Sequence, residues 1–143
     1  EQVEDVRAAY RAAGVRATVE SFFTNMQDRL AACHMVIARS GASTVTELAI
    51  AGRPSILIPL AIATNDHQTA NAEGMVTAAA ADVVPEPKFT AELLAPLLTE
   101  RLSNAGVLKA RAKVAWQLGK PNAARDLADL AEQAAGVTGK PNA

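Results

Sequence analysis

Apolar positions change their period several times along this chain. Residues 3–13 repeat at helical spacing and stop at Gly14, which predicts an opening helix. VRATVESF, residues 15–22, carries the β-branched Val15, Thr18 and Val19 and reads as a strand. Asn25 is placed to cap a short helix running through Ala32, and HMVIA, residues 34–38, is an apolar run of strand length. After an Arg-Ser-Gly turn, helical spacing returns at Ala42 or Ser43. It stops at AGRP, residues 51–54, where proline has no N–H to continue a helix.

SILIPL, residues 55–60, is almost continuously apolar, the mark of a strand covered by helices on both faces. Thr64, Asn65 and Asp66 offer caps for a helix from His67 to Ala80, with Gly74 a weak point inside it. Residues 81–84 form one more short strand before the turn PEPK. Segments 90–100, 104–118 and 122–135 are then helical, the last two separated by GKP. GKPNA occurs at 119–123 and again at 139–143, and two similar turns account for it better than a solenoid does.

Alternating strands and helices predict an α/β fold of three layers, with a parallel sheet of about four strands joined by right-handed crossovers. A complete nucleotide-binding half of this kind opens with a strand and a glycine-rich turn, and here the pattern opens on a helix. The expected organisation is one partial domain over 1–136 and a flexible tail over 137–143.

Composition narrows the picture. At 143 residues the chain holds one ordinary domain, and with half of it hydrophobic but only 3% aromatic its core must be built of small, closely spaced side chains. Fourteen basic against fifteen acidic residues give a net charge of -1, so no broad field favours nucleic acid or anionic lipid. Cys33 is the single cysteine, which excludes an internal disulfide and suggests a small buried hydrophobe in a reducing compartment. No apolar run approaches the roughly 18 residues of a membrane span, and the acidic start EQVEDVRAAYR has no signal-peptide character.

The candidate chemistry lies at the ends of two strands. Ser40, Gly41, Ala42, Ser43 and Thr44 place small residues where a strand feeds a helix, and the free amides of such a seam can donate to phosphate oxygens. A plain tight turn explains the same residues. Thr44 and Glu47 have capping-box spacing, so Glu47 either caps its own helix or accepts from a ligand hydroxyl. TNDHQTAN, residues 64–71, follows the next strand at the same sheet edge, where Gln68 and Asn71 share a helix face and each can donate and accept. Asp66 reads as a cap, His67 as an exposed first-turn residue and His34 as structural. Arg39 either adds charge at the seam or points away. Glu86, Glu92 and the charges from Arg101 to Lys113 read as a solvated coat. No paired His/Cys metal set, P-loop lysine or nucleophile elbow is present, which makes metal-free binding the expectation.

FFTNM at 22–26, ARSGASTVTELAIAGRPSILIPL at 38–60 and NDHQTANAEGM at 65–75 together resemble the carboxyl-terminal part of the MurG family of peptidoglycan glycosyltransferases. The resemblance runs across nearly the whole chain. It implies most of the Rossmann-like donor half of a GT-B fold, without its first strand and glycine-rich turn and without the amino-terminal acceptor domain. The implied reaction is inverting transfer of N-acetylglucosamine from UDP-N-acetylglucosamine to undecaprenyl-pyrophosphoryl-muramyl-pentapeptide, lipid I, giving lipid II. The family works without a tightly bound cofactor, in the bacterial cytoplasm, peripheral on the inner membrane.

By motif, Phe23 stands where backbone groups read uracil, and Ala42, Ser43 and Thr44, with Ser40 and Gly41 before them, match the diphosphate segment. Glu47 matches the ribose-binding carboxylate, and Gln68 with Asn71 match the N-acetylglucosamine contacts. Thr69 stands where some relatives carry a second glutamine, which leaves only a hydroxyl or backbone contact there. No catalytic base is found in this chain, and the family expectation places it in the other domain. Two other readings are a UDP-N-acetylglucosamine 2-epimerase, which needs acid/base carboxylates and histidines not found here, and a non-catalytic UDP-sugar-binding module.

Overall fold

The computed structural model describes residues 2–60 and 66–136. Helices α1 (Gln2–Ala12) and α2 (Met26–Ala32) lead into β1 (Val36–Ala38), α3 (Ala42–Ile50), β2 (Ser55–Leu57), α4 (His67–Thr77) and β3 (Ala81–Val83). A 3-10 turn at Glu86–Lys88 precedes α5 (Ala91–Ser103), α6 (Ala105–Leu118) and α7 (Ala123–Ala134).

The strands form one parallel sheet in the order β1-β2-β3, with Ile37 opposite Ile56 and Ile56 opposite Asp82. Each strand-to-strand step passes through a helix, as parallel pairing requires. Successive side chains of β2 enter different cores, because a strand alternates its faces. Leu57 packs with Leu48, Ala49, Ala72, Met75 and Ala115 from α3, α4 and α6. Ile56 and Ile58 pack with Val84 against Leu94, Leu97 and Leu98 of α5. Every residue of β2 is buried, so the continuous apolar run marks a strand covered on both faces, and the three-layer α/β architecture is the one observed.

Small residues set the helix spacing, as the composition suggests. A Cβ on Gly119 would lie 2.9 Å from the Ile50 Cα and 3.0 Å from the Ala49 carbonyl oxygen, so the end of α6 reaches α3 only because that position is bare. Gly52 combines two requirements: its φ is +63°, and a Cβ there would sit 3.1 Å from that of Trp116.

Asp82 fastens the outer helices to β3. Arg101 donates through Nε and Nη2 to its two carboxylate oxygens at 2.9 and 3.0 Å, and Arg111 Nη2 donates at 2.8 Å. The hydrogen bonds that Arg101 donates to Asp82 raise the already high proton affinity of its guanidinium. These arginines are therefore partners in a largely shielded ion cluster and not part of a solvated coat.

Several local expectations are corrected. Residues 15–22 form no strand: among the described residues no neighbour exchanges ladder bonds with them, and Arg7 holds the Val19 carbonyl through Nε at 3.0 Å and Nη2 at 2.7 Å. The described sheet thus has three strands. Asn25 occupies the N-cap of α2 without a side-chain cap bond, because its Oδ1 accepts from Arg29 Nε at 3.0 Å. Asp66 starts α4 in the left-handed region at φ 52° and also makes no cap bond, while Thr64 and Asn65 lie outside the described residues. The tail 137–143 lies outside them too. Cys33 is half-buried, its thiol donating to the Leu30 carbonyl, and His34 is exposed.

Caps do form farther along. Asn104 Oδ1 accepts from the amides of Gly106 and Val107 at 3.0 and 3.1 Å, and Thr90 Oγ1 accepts from Leu93 at 3.4 Å. Glu92, in the same first turn of α5, is held below the usual carboxylate range by a backbone hydrogen bond and by Thr90. Among the described residues no helix is long and apolar enough to cross a membrane.

Candidate functional site

Parallel strands deliver their exit loops to one edge of the sheet. At the end of β1, Gly41 is the N-cap of α3 with an extended backbone (φ -61°, ψ 149°), and its carbonyl accepts the Val45 amide at 3.0 Å. The amides of Ala42, Ser43 and Thr44 precede that first helical bond, and among the described residues no side chain caps the helix start. Added at Gly41, a Cβ would find only Thr44 Oγ1, 3.9 Å away, within 4 Å. Ala42 and Ser43 are exposed and Thr44 is half-buried. The seam is therefore an open helix start with positive dipole character, the arrangement that suits an anion.

The capping box is not formed. The helix begins at Ala42, so Thr44 is its third residue and Glu47 its sixth, beyond reach of the cap position. Glu47 is exposed, its carboxylate bonded to no group among the described residues. Ser40 is fully buried: its Oγ meets no hydrogen-bond partner among the described residues, and its carbonyl accepts from Asn71 Nδ2 at 3.1 Å.

Helix α4 thus grips the exit loops of β1 and β2. Besides the bond from Asn71 to Ser40, Gln68 Oε1 accepts the Leu60 amide at 3.0 Å. These partners fix the amide orientations, since an N–H must meet oxygen and a carbonyl must meet NH2. The chemistry left on the two side chains is complementary: a donor at Gln68 Nε2 and an acceptor at Asn71 Oδ1. Thr69 is exposed on the same turn.

Phe23 lies in the loop before α2, half-buried, with the Arg29 guanidinium carbon 3.7 Å from its ring centroid. No bond joins Phe23, Glu47 or Thr69 to the Ser40–Asn71 pair among the described residues. Two features escape the sequence reading. Arg39 pairs with Glu86, linking the exit of β1 to the turn after β3. Arg29 gathers Phe23 and Asn25, and only its spacing of four from Asn25 hints at this.

A well-formed cavity lies elsewhere. A groove of about 480 Å³ beside β3 is lined by Asp82, Val83, Lys88, Leu93, Leu97 and Arg111 among others, and by none of the candidate residues. Its carboxylate is committed to two arginines, so the polar chemistry at the sheet edge is the better guide to a ligand site. No three His, Cys, Asp or Glu side chains converge as a metal site among the described residues.

The sheet with an open α3 start and polar α4 facing it has a counterpart in known proteins: the model of the glycosyltransferase family 28 C-terminal domain matches residues 1–131. The chain belongs to this family. A family 28 relative from Rhodospirillum centenum, named UDP-N-acetylglucosamine--N-acetylmuramyl-(pentapeptide) pyrophosphoryl-undecaprenol N-acetylglucosamine transferase, is 50% identical over 137 residues, 96% of this chain and 36% of that protein. One of the same name from Maricaulis maris is 51% identical over 128 residues, 90% of this chain and 35% of that protein. The crystal structure of Acinetobacter baumannii MurG superposes with a TM-score of 0.85 at 36% identity, covering 93% of this chain and 40% of that one. This family 28 domain therefore spans little more than a third of the length of the curated relatives it matches.

Proposed function

We propose that this domain supplies the donor site of a glycosyltransferase that moves N-acetylglucosamine from UDP-N-acetylglucosamine to undecaprenyl-pyrophosphoryl-muramyl-pentapeptide, lipid I, forming lipid II. The observation that carries this reading is the uncapped start of α3 beside two side-chain amides already oriented by α4, in a chain of this family.

The amides of Ala42, Ser43 and Thr44, with the Ser40–Gly41 turn before them, hold the diphosphate. As the bond from the anomeric carbon to the diphosphate breaks, negative charge grows on the leaving UDP, and fixed dipoles stabilise that charge without reorganising. Glu47 accepts from the ribose hydroxyls, and its freedom from capping leaves both oxygens available. Backbone groups of Phe23 read uracil. Gln68 donates to, and Asn71 accepts from, the polar groups of the sugar, with Thr69 beside them. The acceptor hydroxyl attacks from the opposite face, which inverts the anomeric centre. The base that takes its proton and most of the lipid-linked acceptor site belong to the remainder of the full-length protein. That protein works at the cytoplasmic face of the inner membrane as a peripheral enzyme.

Calorimetry on the full-length protein with two ligands tests the sugar assignment. Gln68→Ala is expected to weaken UDP-N-acetylglucosamine by roughly threefold to tenfold, the scale of one hydrogen bond, with little change for UDP. Equal losses for both ligands would remove the sugar-specific role. Transfer to a lipid-linked acceptor separates an enzyme from a non-catalytic sugar-binding module.

A further inference from the structure

Arg29 draws the FFTNM loop together. Its guanidinium carbon lies 3.7 Å from the centroid of the Phe23 ring, a cation–π contact, and its Nε donates to Asn25 Oδ1 at 3.0 Å. Asn25 stands at the N-cap of α2, where an asparagine ordinarily accepts from a helix-start amide, yet makes no such bond. Its side chain is directed to Arg29 instead. One arginine from the middle of α2 thus holds residues 23 and 25, on both sides of Thr24.

The segment needs an external hold. Residues 15–20 approach the loop without sheet partners among the described residues, and Phe22 beside it is 79% exposed. Among the described residues no ladder bond holds the Phe23 backbone. Arg29 holds the side chain instead, the half-buried ring giving the planar guanidinium a flat face on which to rest.

We propose that Arg29 is a positioning residue for base recognition: by clamping the Phe23 ring and Asn25 it sets the backbone amide and carbonyl of Phe23 in the orientation that selects uracil. This rests on the reading of Phe23 as the base-binding position. In this reading Arg29 acts through Phe23 and Asn25 and not on the ligand directly, so its removal affects the nucleoside end of the ligand and spares the anion end.

The test is calorimetry on the full-length protein with UDP, CDP and inorganic pyrophosphate. Wild type is expected to prefer UDP to CDP, because the two bases present different donors and acceptors to a fixed amide and carbonyl. Arg29→Ala should weaken UDP roughly threefold to tenfold, the range of a single cation–π contact, narrow the UDP/CDP ratio and leave pyrophosphate unchanged. Arg29→Lys, which retains the cation over the ring, should recover part of the loss. Phe23→Leu should reproduce the loss, and adding Arg29→Ala to it should cost little more, since the two act through one contact. Unchanged UDP binding in Arg29→Ala overturns the proposal, and so does a parallel fall for UDP and pyrophosphate, which would make Arg29 a phosphate ligand or a general fold contact. A wild type that binds UDP and CDP equally overturns the reading of Phe23 itself, and the role of Arg29 with it.

Discussion

Glu47 stands exposed on the second turn of α3, and the fold asks nothing of its carboxylate. Replacing it with glutamine should leave stability within about 0.5 kcal/mol, as for other surface positions away from caps and ion pairs. UDP affinity should nevertheless fall by roughly tenfold or more, the scale of hydrogen bonds to a charged group. Calorimetry beside a thermal melt decides this: an unchanged affinity with the fold intact removes Glu47 from the ribose site. The identity of this residue was legible in the sequence, but its freedom was not. Spacing to Thr44 suggested a cap, and only the start of the helix at Ala42 shows that the box cannot close. Gln68 and Asn71 were legible as a polar pair on one helix face. That each spends half its amide on a backbone group was invisible, because Ser40 lies 31 residues from Asn71 and the eight-residue separation of Leu60 from Gln68 carries no spacing signal.

Among the elements, α3 and α6 make the closest approach. Gly119→Ala puts a methyl group 2.9 Å from the Ile50 Cα, where both neighbours are backbone and cannot step aside as a side chain would. The helices must separate, at a cost of about 1–3 kcal/mol as in other overpacked cores, and urea unfolding should show it as a lower midpoint with an unchanged slope. The backbone at Gly119 is in the ordinary extended region, so this is a purely steric requirement. A loss below a few tenths of a kcal/mol would show that the two ends can slide apart freely. The helices and the three paired strands followed from apolar period and from turn residues. Residues 15–22 did not, although Val15, Thr18 and Val19 suit a strand. Strand propensity describes a surface that fits a neighbour, and no neighbour stands there among the described residues.

At the scale of the molecule, Asp82 is the fastening between the edge strand and the α5–α6 pair, with side chains only 12–22% exposed on all three partners. Asp82→Ala should cost roughly 2–3 kcal/mol, somewhat less than breaking a fully buried pair, because Arg111 loses its carboxylate while Arg101 keeps, among the described residues, only the exposed Glu100. None of the candidate donor residues belongs to this cluster, so UDP affinity of the folded variant should be unchanged. A parallel loss of both would mean that the far edge and the ligand edge are not independent.

The hydrogen bond from Asn71 to Ser40 has the opposite character. It spans the start of α4 and the turn that opens α3, the parts assigned to the sugar and to the diphosphate. In the proposed donor site that bond ties the wall that would hold the diphosphate to the wall that would hold the hexose. Asn71→Ala should therefore disturb the binding of both parts of the donor, which calorimetry with UDP and UDP-N-acetylglucosamine would read.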